Sequence, residues 1–225
     1  MYLTRMFLNP RRRGAMKLLG SPQAMHAAVM AGFPPGTETT TPRGRVLWRV
    51  DRPAPEQVAL FIASPHEPCL VHLKEQAGWS TADAWHTRDY RPLLDGLCAG
   101  DQYNFRLVGN PTHRGKDSRG VTKVFAHVTV AQQEHWLLRK AELHGFSLTA
   151  PAAEGDGSGF PGPMMVADRQ TRRFRRSGSS VEVGTARFDG VLEVTDPDAL
   201  RMALCHGIGR AKAYGCGLMT LAPVG

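Results

Sequence analysis

A chain of 225 residues with 42% hydrophobic content is long enough for one large domain or two small ones, and too apolar to be wholly disordered. Lysine and arginine outnumber aspartate and glutamate 28 to 20, and the net charge of +8 points to a polyanionic partner, with nucleic acid ahead of acidic lipid. No run of about 18 apolar residues occurs, which excludes a transmembrane helix.

Residues Tyr2 to Leu8 are rich in β-formers and read as a strand, followed by a basic turn over 9–14. Because Arg11, Arg12 and Arg13 follow the first apolar segment instead of preceding it, the segment does not read as a signal peptide. The chain is expected to be cytoplasmic and not to act at a membrane. Ser21-Pro22 predicts a helix start, with Ser21 as N-cap and Pro22 in the first turn, and Gly32 and Pro34-Pro35 close it. A polar loop over 36–44 leads to strands at 45–50 and 58–63, a short helix over 68–77 and a weak strand over 89–94. This order is β-α-β-β-α-β, the ferredoxin-like unit.

A turn over 96–101 reads as an inter-domain joint, which gives a first domain of residues 1–95 and a second of 96–225. In the second domain, 102–108 is a strand, 132–144 a helix and 151–163 a Gly/Pro-rich loop. Strand-like segments follow at 164–167, 181–187 and 190–195, then a helix opened by Asp196-Pro197 and a last strand over 218–222. The fold class is α+β, with the same unit used twice. Each half carries a net +4, so clustering of charge, not its total, distinguishes them.

Four cysteines at 69, 98, 205 and 216 form no CxxC pair and read as reduced thiols. His66-x-x-Cys69-x-x-His72 has metal-ligand residue types but no nearby fourth ligand, so ordinary packing is expected and no metal or other cofactor is implied.

Three features carry chemistry. Gly207-Ile-Gly209-Arg210-Ala-Lys212-Ala-Tyr-Gly215-Cys-Gly217 lies between a helix and the closing strand. Glycines let backbone N–H groups approach an anion, and Arg210 and Lys212 add charge, although a tight packed connection reads equally well. It is neither a P-loop nor a dinucleotide fingerprint. Asp168 to Gly178 sets Arg169, Arg172, Arg173, Arg175 and Arg176 around Phe174 against a single aspartate. Arginine forks hold phosphates and an aromatic ring stacks on a base, while the bland reading is a solvated hairpin tip. His26 falls on the outward stripe of the Pro22 helix, near Arg12 and Lys17, which are further candidate RNA contacts. RNA is cut without metal when its own 2′-OH attacks the adjacent phosphate, and histidine suits the acid or base work this requires.

The residues resemble the CasE (Cse) family, the CRISPR type I-E repeat-processing endoribonucleases. The opening Met1-Tyr2-Leu3-Thr4, Met25-His26, Asn110-Pro111-Thr112, Trp136-Leu137-x-Arg139-Lys140, Phe188-Asp189-Gly190-Val191-Leu192 and the C-terminal glycine motif carry the similarity. The resemblance implies tandem ferredoxin-like (RRM-like) domains that bind the stem-loop of CRISPR repeat RNA and cut at the 3′ base of the stem. It also implies a 2′,3′-cyclic phosphate product, no metal, and continued attachment to the product beside other subunits of the Cascade complex. It places His26 at the catalytic histidine and the basic hairpin in the major groove of the stem, with no DNA bound directly. Two positions depart from the family. Gln23 stands where relatives often have a tyrosine, and Ala31-Gly32 where some have a lysine. The cation for the transition state then comes from Lys17, the 11–13 turn or the second domain. The competing readings are a non-catalytic structured-RNA-binding subunit of the same fold and a DNA-binding module. No helix-turn-helix or heptad pattern supports the latter.

Overall fold

Alternation of apolar and polar residues along its strands decides how each half of the chain folds. Residues 1–80, 84–149, 164–176 and 179–224 are described by the structure, a computed structural model. The first half runs β1 (Tyr2–Leu8), α1 (Arg13–Gly20), α2 (Pro22–Met30), a two-residue pair β2 (Thr40–Thr41) and β3 (Gly44–Arg45), β4 (Leu47–Ala54), β5 (Gln57–Ser64), α3 (Val71–Ala77), β6 (Trp85–Asp89) and α4 (Arg91–Asp95). Its sheet is antiparallel in the order β4-β5-β1-β6.

The second half runs β7 (Gln102–Gly109), β8 (Thr112–Lys116), β9 (Thr122–Ala126), α5 (Val130–Leu143), β10 (Phe146–Thr149), β11 (Met164–Arg176), β12 (Ser179–Val194), α6 (Pro197–His206) and β13 (Met219–Pro223). Its sheet order is β10-β12-β7-β13, with β11 also paired to β12. In both halves the third core strand lies between the first and second, and the fourth flanks the first. That is the ferredoxin-like arrangement twice over.

In β4, Trp48 packs with Met25 and Val29 of α2 in the first core, whereas Arg49 and Asp51 point to the opposite face. In β7, Phe105 and Leu107 face the second core under α5 and α6, and Arg106 faces away. The two sheets therefore meet through the faces that carry no helices, where Leu47, Ala63 and Leu218 cluster with Leu3 and Phe61. Tyr90, Leu94 and Leu97 pack into the core of the second half. No helix among the described residues is long and apolar enough to cross a membrane.

Several segments differ from expectation. The basic turn gives way at Arg13 to a helix, α1, which buries Ala15 and Leu18 one turn apart. The weak strand over 89–94 is instead the end of β6 and then α4. The Asp89 carboxylate accepts from the Arg91 N–H at 2.9 Å and Pro92 occupies the first turn, both of which favour a helix start. The segments 181–187 and 190–195 are one continuous strand, because β12 pairs with β7 across the gap, from Ala186 to Glu193, and with β11 on either side of a single bulge. The β8–β9 hairpin has no counterpart among the expected elements. The Gly/Pro-rich loop over 151–163 lies outside the described residues.

Candidate nucleic-acid interface

The residues that begin the site are on α2. Ser21 accepts from the Ala24 N–H at 3.2 Å, Pro22 fills the first turn, and Met25 and Val29 are buried. His26 is thereby left half-buried at the helix surface. His72 donates to the Ala28 carbonyl at 2.8 Å, which gives this member of the His66–Cys69–His72 group a packing role.

Across the joint, α2 packs against the 3-10 turn Lys212–Tyr214 and against β11. The glycine motif of the second half and the histidine helix of the first are thus brought together from positions almost 190 residues apart. The glycines serve that close approach. Gly215 has φ +83°, and a Cβ there would lie 2.7 Å from the Trp48 ring, so only glycine fits. Gly207 and Gly217 are likewise buried and Gly209 half-buried, and they turn toward Leu47, Ile208 and Trp136 respectively. Gly217 N–H donates to Val108 O at 2.8 Å, which ties the loop to β7. Arg210 stays exposed. Lys212 is half-buried, and burial together with Arg45 and Lys140 pulls its ammonium below the ordinary lysine value. Burial, Lys140 and Lys212 also lower His144.

The arginine run is the outer part of a two-stranded ribbon. β12 pairs with β7 from Ala186 onward, while Gln170 to Arg176 and Ser179 to Thr185 pair only with each other. Strand alternation sorts the side chains. Arg172 and Phe174 are half-buried, and the Phe174 ring meets Tyr214 edge-on with centroids 4.7 Å apart. Burial holds the Arg172 guanidinium below its ordinary value. Arg173 and Arg175 are exposed, Arg173 with an ion pair to Glu182 at 2.6 Å. Arg169 donates to the Val128 carbonyl. Arg176 pairs its backbone with Ser179 at the ribbon's end.

A cleft of about 400 Å³ lies between these parts. Pro22 and Met25 of α2, Leu18 of α1, Trp48 and Arg52 of β4, Arg172, Arg173 and Arg187 of the ribbon, and Tyr214 all line it. Four arginines thus face one carboxylate, Asp168, which Arg187 already holds. Such a surface suits a phosphodiester backbone. Arg52, Arg187 and Tyr214 were not among the expected site residues; period-2 alternation from Trp48 through Val50 would have placed Arg52 on the cleft side. A second cleft of about 310 Å³ is bordered by Gly209 and lined by Arg114, Arg139, Lys140 and Arg210, with no carboxylate among the described residues that line it. Lys17 is exposed at the end of α1. Arg12 instead donates to the carbonyls of Lys74 and Gly78, at 3.2 and 3.0 Å, and so caps the end of α3.

Comparison with known proteins is consistent with this arrangement. The family model described as "CRISPR associated protein" matches residues 1–223. The CRISPR-associated endoribonuclease Cse3 of Thermus thermophilus is 30% identical over 232 residues, spanning 99% of this chain and 100% of that one. The Cascade subunit CasE of Escherichia coli is 31% identical over 136 residues, 57% of this chain and 61% of the relative. Thermus thermophilus Cse3 bound to an RNA representing a pre-cleavage complex superposes with a TM-score of 0.75 at 30% identity, over 99% of this chain and 98% of that one. Escherichia coli Cas6e shares the fold, with a TM-score of 0.65 at 24% identity over the full length of both chains.

Proposed function

The chain belongs to the family of CRISPR-associated proteins, and from that premise we propose that it is the endoribonuclease that processes CRISPR repeat RNA in a type I-E system. It binds the repeat stem-loop, cuts at the 3′ base of the stem and stays on the product within the Cascade complex, in the cytoplasm. The observation that carries this reading is the convergence of α2, the Lys212–Tyr214 turn and the base of the arginine ribbon on one basic cleft.

Cleavage proceeds by attack of the 2′-OH on the adjacent phosphate. The P–O2′ bond forms, the P–O5′ bond breaks, and the products are a 2′,3′-cyclic phosphate and a 5′-OH. The step needs an acceptor for the 2′-OH proton, a donor that protonates the leaving 5′-oxygen, and cations around the phosphorane. His26 is the titratable group on the α2 surface. Gln23, one turn earlier, can hold a phosphate or water but cannot exchange a proton at neutral pH. The second half supplies the cations, through Arg172, Arg173 and Lys212, and Arg52 adds one from the first. The glycines 207, 209, 215 and 217 act by holding Arg210 and Lys212 in place, and Arg169, Arg175 and Arg176 extend the phosphate track along the ribbon. Incubating the protein with a repeat hairpin in EDTA and mapping the product ends tests the reading. A cyclic phosphate at the 3′ base of the stem supports it, and bound but intact RNA assigns the chain to the non-catalytic binders.

A further inference from the structure

Arg49 is 1% exposed, although it lies on a strand beside the joint of two domains. It donates to both carboxylate oxygens of Asp51, at 2.7 and 2.9 Å, on its own strand. Its other bonds cross the joint: to the carbonyls of Arg106 and Leu218 at 2.8 and 3.0 Å, and to Thr220 Oγ1 at 2.8 Å. Leu218 immediately follows the glycine loop, so the same bond that joins the sheets anchors that loop's exit.

The pair does not end there. Asp51 lies 3.7 Å from Arg106, Arg106 bonds Asp189 at 2.5 Å, and Arg187 bonds the other oxygen of Asp189 at 2.7 Å. Arg187 finally holds Asp168. Asp168 has φ +45° and sits where the register between β11 and β12 shifts, the bulge that sets the direction of the ribbon. The first member of this chain is buried in the joint and the last two line the basic cleft. Alternating charges at contact distance in a partly dry environment have one low-energy arrangement, because removing any one leaves its neighbours uncompensated.

We infer that this ion-pair chain is a positioning device for cleavage. Arg49 and Asp51 fix how the two sheets face each other, and Arg106, Asp189 and Arg187 carry that constraint to the base of the ribbon. The arginines of one half and His26 of the other then meet a single RNA in one register. The inference rests on the reading of the cleft as the place of cleavage.

Asp189→Asn keeps the shape and removes the charge between two arginines. The single-turnover rate should fall about 10- to 100-fold, the cost of an ångström-scale misplacement. Hairpin affinity should change little, the cut should scatter to neighbouring nucleotides, and Asp189→Glu should restore both rate and position. A variant that melts earlier yet cuts at the wild-type nucleotide and rate per folded molecule overturns the inference. Thr220→Val, which removes one acceptor from Arg49 and leaves every charge in place, is the milder variant if Asp189→Asn does not fold. It should show the same scatter at a smaller rate loss, and an unaltered cut position would count against the device. A second readout needs no cleavage. Spin labels at Ala27→Cys on α2 and Ser180→Cys on β12, with the exposed Cys69 and Cys98 replaced by serine, should give one narrow distance. That distance should broaden in Asp189→Asn, and an unchanged distribution refutes the device. If the unaltered chain binds the hairpin without cutting it, the cleavage reading fails, and this distance measurement still decides whether the ion pairs position the ribbon.

Discussion

The Phe174 ring meets the Tyr214 ring edge-on, with centroids 4.7 Å apart and planes inclined by 64°. Such a pair contributes about 0.5–1.5 kcal/mol beyond the area it buries. It fastens the arginine ribbon to the turn that carries Lys212, and that turn in turn abuts the helix of His26. The ribbon, the glycine loop and α2 are thereby held in mutual contact, as the proposed joint action on one RNA requires.

Replacing His26 with alanine should lower the cleavage rate by about two to four powers of ten, the range for one general acid or base. Hairpin affinity should change little, because the proposed phosphate contacts lie on the ribbon and loop. Single-turnover cleavage and filter binding on the same preparation separate the two, and a near wild-type rate removes His26 from the mechanism.

Replacing Arg172, Arg173, Arg175 and Arg176 together with alanine should weaken RNA binding and flatten its salt dependence. Each lost phosphate contact reduces the slope of log K against log salt by about 0.7 to 0.9. Of single variants, Arg173→Ala should cost least, since its guanidinium already has a carboxylate partner in Glu182. A slope equal to that of the unaltered chain would make the ribbon a merely solvated surface.

EDTA should leave cleavage unchanged, and a 2′-deoxy substitution at the scissile nucleotide should stop it. In the proposed reaction the nucleophile belongs to the substrate, so removing one hydroxyl should abolish cleavage while the phosphates are still held. Cleavage of the deoxy substrate, or a requirement for added magnesium, would sink the mechanism even with His26 essential.

Gly215→Ala should destabilise the fold by about 1–3 kcal/mol, since it combines a positive-φ residue with a steric clash. The added Cβ would lie 2.7 Å from the Trp48 ring in a backbone conformation at φ +83°. Urea denaturation measures this, and cleavage should fall with it because the ring cannot yield without moving the Lys212–Tyr214 turn. A variant as stable as the parent would show that the loop adapts.

Cys216 should be silent to thiol reagents at pH 8 in the folded chain, while the exposed Cys69 and Cys98 react. Burial pushes its thiol up to about 12 from the ordinary 9.0, so no thiolate forms there at pH 8. The folded state holds this proton more tightly than the unfolded one. Its contribution to stability is therefore complete below about pH 9 and is lost as the pH rises toward 12. Thermal melts across that range should decline, and less steeply for Cys216→Ala.

Local chemistry in the sequence settled much of this protein. Ser21-Pro22 and Asp196-Pro197 start helices where they stand, the alternating strands build the duplicated unit, and the arginine run lies on a hairpin. These signals are short-range, since a cap, a turn residue or a period of two is complete within a few positions. Only the tertiary structure decided that the glycines turn inward against Trp48 and Trp136, that Arg12 caps α3, and that Arg52, Arg187 and Tyr214 enter the cleft. It likewise decided that Arg49 is buried, on acceptors as far as 171 residues away. An arginine in a strand reads as exposed until the partner that satisfies it is known. That partner is supplied by the packing of two sheets, which no local pattern encodes.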